Sequence, residues 1–301
     1  MITARPGSGS GVRIPLAMAV AALLAGVAAP QRAAADEAAA HYNMGLQLKR
    51  EGKNAEAIGE IEKAIRLRSD YAAAHFTLGN LWRVQGDYAK AAAELEQAVK
   101  LQPQDAAAHA NLGAVYVRQK RVDQGIHELE AAVTLKPDDY EALTSLGFAY
   151  RQKGDLPRAI ETLKKATDLR PTDATAWTNL GVARSKTDDK EGAIVAFKKA
   201  LEIKPTDAAS HFNLATVYRR MRKTDEAIAE YETAVSYDAS LASAHYDLGI
   251  LYTQQGRHQE ALAAFKKFLA TSGNQDSGAR TDAEERIKTL EAAPAPAPKK
   301  N

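Results

Sequence analysis

Tyr140–Asp173 reads YEALTSLGFAYRQKGDLPRAIETLKKATDLRPTD and splits into two helical halves. In the first, Leu143, Leu146, Gly147 and Tyr150 fall at i, i+3, i+4 and i+7, one face of a helix. Lys153-Gly154-Asp155 interrupts that pattern. Asp155 has the side chain to cap a second helix, and Pro157 fits its first turn, where backbone N–H groups lack partners anyway. Ala159, Leu163 and Ala166 then form a second apolar stripe, which Pro171 ends. The spacing predicts a helical hairpin of 34 residues. One hairpin cannot bury both stripes, so it needs copies on either side.

The copies are present. Stepping by 34 from Gly147 gives Gly45, Gly79, Gly113, Gly181, Ala215 and Gly249. A large apolar residue precedes each: Met44, Leu78, Leu112, Leu146, Leu180, Leu214 and Leu248. Twelve residues on lies Ala57, Ala91, Gly125, Ala159, Ala193, Ala227 or Ala261, and four further on Ile61, Leu95, Leu129, Leu163, Phe197, Tyr231 or Phe265. Pro103, Pro137, Pro171 and Pro205 close four units. Small residues at the Gly and Ala positions let paired helices approach closely, and the large ones fill the space between them.

This pattern resembles the tetratricopeptide repeat, from Ala38 to about Gln275. The resemblance implies an all-α, right-handed superhelical solenoid of seven helix–turn–helix repeats. Their expected bounds are 38–71, 72–105, 106–139, 140–173, 174–207, 208–241 and 242–275. Asp105, Asp139, Asp173 and Asp207 stand where they would cap the next hairpin. Ser69 and Ala239 replace the closing proline, so looser junctions are expected there. A polar break at Thr271–Gly278 leads to a capping helix over 279–292, with Ile287 and Leu290 on one face. The Ala/Pro-rich tail, 293–301, has no capacity to form a core.

Residues 1–35 have the layout of a secretory signal peptide. Arg5 and Arg13 lead, Ile14–Ala29 is apolar, and Ala33-Ala34-Ala35 offers a small-residue cleavage site. The apolar run is shorter than the roughly 20 residues of a spanning helix. The expectation is a mature chain starting near Asp36, exported to the periplasm or outside the cell. The alternative is anchoring by an uncleaved apolar segment. The net charge of +2 comes from this region: it holds three arginines and no acid, leaving 37 basic against 38 acidic residues. A near-neutral mature chain gives no bulk attraction to nucleic acid or anionic lipid. The absence of cysteine excludes disulfides and thiol catalysis.

The sequence offers no phosphate loop, no nucleophile elbow and no His-Glu-x-x-His helix. No enzyme activity, cofactor or small-molecule substrate is therefore expected. His41, His75, His109, His211 and His245 share the fourth position of their repeats, which invites a metal reading. Equivalent helices lie at least about 16 Å apart, whereas zinc needs ligands at about 2 Å. A ring lodged between the two helices of a hairpin is the better account.

The sixth position carries Asn43, Thr77, Asn111, Ser145, Asn179, Asn213 and Asp247, all small hydrogen-bonding residues in mid-helix. The column resembles the asparagine ladder in the repeat arm of O-linked N-acetylglucosamine transferases. The resemblance implies a concave face that grips peptide backbone. An amide both donates and accepts, which suits that task. Beside it the ninth position includes Asn80 and Phe148, and the thirteenth Arg50, Arg118, Lys186 and Arg220. The combination describes a groove for an extended segment with apolar and acidic side chains. The Lys/Asn/Arg set of the family's two-carboxylate clamp is not found. The expected function is a scaffold binding a peptide or partner protein in this groove. The alternative is an accessory subunit of an envelope or glycosyltransferase complex, held by its convex face or ends.

Overall fold

The computed structural model describes residues 16–273 and 277–292, with side chains from Ala33 onward. Among these residues there are fifteen helices and no strand. The first of each repeat pair are α1 (Leu16–Arg50), α3 (Ala72–Gln85), α5 (Ala106–Arg118), α7 (Tyr140–Lys153), α9 (Ala174–Ser185), α11 (Ala208–Arg220) and α13 (Ala242–Gln254). Their partners are α2 (Asn54–Leu67), α4 (Tyr88–Leu101), α6 (Val122–Leu135), α8 (Leu156–Leu169), α10 (Lys190–Ile203), α12 (Thr224–Tyr237) and α14 (His258–Thr271). A last helix, α15 (Ser277–Ala292), follows. Seven hairpins and a capping helix are thus the architecture, in the expected register. The chain divides into two compact units, 1–120 and 121–301.

Within a hairpin the two helices meet backbone to backbone. A Cβ added to Gly45 would stand 3.2 Å from the carbonyl of Ala57, and one on Gly79 equally close to that of Ala91. The large residue four positions past each alanine closes the remaining gap. A Cβ on Gly147 would lie 2.5 Å from Leu163 Cγ, and one on Gly181 2.7 Å from the Phe197 ring. Ile61, Leu95, Leu129, Leu163, Phe197, Tyr231 and Phe265 are all fully buried. Each such side chain contributes about 1.5–3 kcal/mol by leaving water.

The expected caps form. Asp105 accepts from the N–H of Ala107 and Ala108, Asp139 from Ala142, Asp173 from Thr175 and Asp207 from Ser210. Asp155 accepts from the Arg158 N–H, with Pro157 in the first turn of α8. The junctions at Ser69 and Ala239 lack both proline and a capping side chain. Their turns still close: the Tyr71 N–H donates to Arg68 O at 3.2 Å, as that of Asp105 does to Gln102 O at 3.1 Å.

The histidine column follows the same register. Nε2 of His75 lies 3.1 Å from the carbonyl of Ser69, and His109, His211 and His245 reach Pro103, Pro205 and Ala239 in the same way. The Trp177 indole donates to Pro171 O at 2.9 Å. Each ring therefore ties the start of its repeat to the end of the preceding one. Nδ1 of His41, His75 and His211 sits 2.6–2.7 Å from Glu60, Glu94 and Glu230 on the second helix of the same repeat. At His75 a carbonyl and a carboxylate both accept, so the ring is satisfied when both nitrogens carry protons. Glu94 accordingly raises its pKa, against the opposing effect of burial.

A second set of ties joins successive repeats. The hydroxyls of Tyr116 and Tyr252 donate to Glu96 at 2.7 Å and Glu232 at 2.5 Å, and Tyr150 donates to Glu130. Burial, with the Glu130 carboxylate, pushes the Tyr150 phenol up to about 12. Beyond the last repeat, α15 lays fully buried Ala283, with Ile287 and Leu290, on the cluster around Phe265 and Phe268. Tyr246 donates to Asp282 at 2.7 Å across that contact. The helix begins at Ser277, so Gly278, expected in the break, lies in its first turn. The charged leader before residue 16 and the 293–301 tail fall outside the described residues.

Two stability predictions result. Ala159 is wholly buried where two helices touch, so Ala159→Leu should cost about 1–3 kcal/mol. Gly147→Ala should also lose stability, despite the roughly 1 kcal/mol that alanine ordinarily adds in mid-helix. Gly59, with nothing within 4 Å of its added Cβ, should gain about 0.5–1 kcal/mol as alanine. Urea unfolding of the three variants checks the order. The second prediction concerns pH. A histidine with a raised folded pKa lends stability that is fully present below its unfolded value, about 6.5, and lost as pH rises through the folded value. The unfolding midpoint of the wild type should therefore exceed that of His75→Gln more at low pH than at high pH.

Candidate partner-binding face

Each unit presents its first helices as neighbours: α3 meets α5 in one, and α7 meets α9 and α9 meets α11 in the other, so equivalent helices touch and do not keep the separation of about 16 Å expected from the sequence. The sixth-position residues line these helices. Asn111, Ser145, Asn179 and Asn213 are half-buried and Asn43 is exposed. None of the five side chains hydrogen-bonds to another described residue. Their donors and acceptors are open to solvent. Such residues cost about a few tenths of a kcal/mol against alanine in mid-helix. No internal bond offsets that cost.

Thr77 and Asp247 differ. Thr77 is buried, and its hydroxyl donates back to Ala73 O at 2.8 Å and lies 3.2 Å from the Tyr42 hydroxyl. Asp247 accepts at 2.8 Å from the hydroxyl of fully buried Tyr231, and Arg219 Nε stands 3.8 Å away. Burial and the Asp247 charge push the Tyr231 phenol up to about 12. Both side chains are committed inside the fold, which narrows the expected column to five residues.

The flanking columns form a gradient. The ninth position, with Asn80 and Phe148, is half-buried throughout, whereas Arg50, Arg118, Lys186 and Arg220 at the thirteenth are exposed. Asn80 Oδ1 accepts weakly from Arg83 at 3.4 Å. Arg220 also donates to the carbonyl of Ser185, joining α11 to α9. The twelfth position, which the repeat pattern does not single out, supplies Arg151 on α7 and Arg219 on α11. Arg151 is half-buried, with its guanidinium 4.8 Å from the Phe148 ring centroid and its Nε enclosed without a hydrogen-bond partner. Burial pulls its pKa below the usual arginine value, and no neighbouring acid opposes that. The sequence signal for this column is the recurrence of Lys49, Arg83, Arg151 and Arg219 at one repeat position.

Among the described residues no three His, Asp or Glu side chains converge as metal ligands, and no helix is long and apolar enough to cross a membrane. The chemistry of this face is hydrogen bonding, apolar contact and positive charge.

The comparisons agree with the architecture. A tetratricopeptide repeat model matches residues 42–106, 83–140 and 212–277, more than half of the chain. Further models of the same repeat match 147–188 and 174–207. Among solved structures, MamA (residues 41–end) from Desulfovibrio magneticus RS-1 is 28% identical, with a TM-score of 0.54 over 57% of this chain and 97% of that one. YrrB, a TPR protein with an unusual peptide-binding site, is 26% identical, with a TM-score of 0.52 over 56% of this chain and 88% of its own. A tetratricopeptide repeat protein from Parabacteroides merdae ATCC 43184 is 17% identical and covers 85% of this chain and 99% of its own at a TM-score of 0.62, a likeness of fold alone. Curated proteins give no match. With period, small-residue contacts and family match in accord, the chain belongs to the tetratricopeptide repeat family.

Proposed function

We propose that this protein is an exported, non-catalytic scaffold that holds an extended segment of a partner protein along its first-helix faces. The observation that carries this reading is the unpartnered polar column, four amides and one hydroxyl: Asn43 and Asn111 in one unit, and Ser145, Asn179 and Asn213 in the other. A side chain that is neither a good helix former nor bonded internally has its use outside the fold. Side-chain amides accept from a ligand N–H and donate to a ligand carbonyl without regard to the ligand's own side chains. The half-buried ninth-position residues would meet apolar side chains of the segment, and the exposed thirteenth-position bases acidic ones.

The test is a crosslinking pull-down from the native envelope, followed by affinity measurement on the captured partner. Asn179→Ala with Asn213→Ala removes two hydrogen bonds worth about 0.5–1.5 kcal/mol each, so binding should weaken by about 1–3 kcal/mol. Melting temperature should hold or rise slightly, since alanine is the better helix former. Unchanged affinity would move the interface to the second helices or the ends of the array. A large fall in melting temperature would make the amides part of the scaffold.

Export rests on the leader sequence, and the packing is compatible with cleavage. Ala38 is wholly buried in the first repeat, whereas Ala33, Asp36 and Glu37 are exposed. Sequencing the N-terminus of protein from the native host should find a start near Asp36; an intact Met1 on a soluble cytoplasmic protein would sink the export reading.

A further inference from the structure

The repeat sets two equivalent places side by side for comparison within the second unit. At one, Arg219 on α11 faces Asp247 on α13, the twelfth position of one repeat against the sixth of the next. The arginine there has its acid at 3.8 Å, and the acid is held by the Tyr231 hydroxyl as well. Sixty-eight residues earlier the same register sets Arg151 on α7 against Asn179 on α9, two helices in direct contact. Here the arginine is kept and the acid is replaced by its neutral isostere. Neither Arg151 nor Asn179 has a hydrogen-bonded or ionic partner among the described residues. We propose that Arg151 and Asn179 form a subsite for a carboxylate side chain, Asp or Glu, of the extended partner segment, which takes the place that Asp247 occupies beside Arg219. This deepens the scaffold reading above and rests on it.

Three features favour an acid as the occupant. Arg151 is a permanent cation with no ion pair among the described residues, and with its Nε enclosed by the protein its terminal guanidinium nitrogens are where a ligand carboxylate would supply the missing countercharge. The Phe148 ring centroid lies 4.8 Å from the guanidinium carbon, a cation–π contact that restrains the side chain on this face. The surrounding face is short of acids. On α7, α9, α11 and α13 the two acidic residues are Glu141, paired with Arg170 at 2.9 Å, and Asp247 itself, while Lys186 stands exposed without an ion pair. A segment bearing Asp or Glu at one register point thus meets positive charge, with the amide of Asn179 as a second donor.

Short random peptides displayed as internal fusions, with no free C-terminal carboxylate, provide the probe against the full chain. Peptides selected by the wild type should share an Asp or Glu at one register. A selected peptide should bind Arg151→Gln about tenfold or more weakly, as expected for a charge-assisted bond. Changing its acid to the amide should have little further effect on that variant, the signature of a direct pair. Asn179→Asp provides a version that keeps the fold: it places an internal acid beside Arg151, as Asp247 lies beside Arg219. That variant should keep its melting temperature and lose the acidic peptides. Peptides that lack an acid preference yet weaken on Asn213→Ala would overturn the carboxylate subsite and leave the amide ladder standing. Peptides indifferent to Arg151→Gln, Asn179→Ala and Asn213→Ala alike would overturn both.

Discussion

Two backbones meeting with almost nothing between them is the constraint from which each hairpin follows. The glycine of the first helix lies against a carbonyl of the second, and one large side chain fills the space beside it. That contact limits how far one helix can slide or rotate against the other, because nothing larger than glycine, or alanine at Ala215, stands there. Once it is fixed, position four of the first helix comes opposite the Glu60, Glu94 or Glu230 carboxylate of the second. The next repeat's tyrosine likewise falls opposite Glu96, Glu130 or Glu232. The polar ties are consequences of register rather than its cause. Stability in such an array is a sum over neighbours, so a local constraint repeated serves where a single large core is absent.

The same contact explains why the fold was legible in the sequence. Only small residues tolerate it, so glycine and alanine recur every 34 residues and mark each hairpin by their period alone. The aspartate caps were legible for a similar reason: their chemistry is local, and the N–H groups they serve lie two or three residues away. Pairings across the hairpin were harder to read. His75 and Glu94 are nineteen residues apart, and neither column alone reveals the other. The two columns vary together in six of the seven repeats, Leu143 and Trp177 standing with Thr162 and Ala196, but His245 stands with Ala264 and breaks the rule.

The candidate face was legible as a column and not as individuals. Seven small polar residues look alike in sequence, but their neighbours give them different occupations. Thr77 carries a hydroxyl short enough to reach its own helix backbone, a bond unavailable to the longer amide without distortion. Asp247 meets a tyrosine where other repeats place isoleucine, leucine or phenylalanine, and the extra hydroxyl of that side chain reaches the surface column. Arg151 escaped notice because arginine near a helix C-terminus is ordinarily explained by the helix dipole. Its enclosure beside Phe148, which sequence spacing does not reveal, is what sets it apart.

The helix laid over the seventh repeat bears on assembly. Successive repeats join through unlike surfaces, and a contact of that kind between separate molecules does not close on itself but propagates into filaments. Helix α15 takes the position an eighth repeat would occupy, with Ala283 inward and Glu284, Glu285, Lys288 and Glu291 facing water. Arg280 fastens its start to the carbonyls of Leu269 and Gly273, and Glu291 meets Lys266 at 2.8 Å. The surface that made each repeat adhesive to the next is thereby converted into a hydrated, charged one. Another copy's first repeat would find there no apolar stripe of the seventh repeat left to pair with.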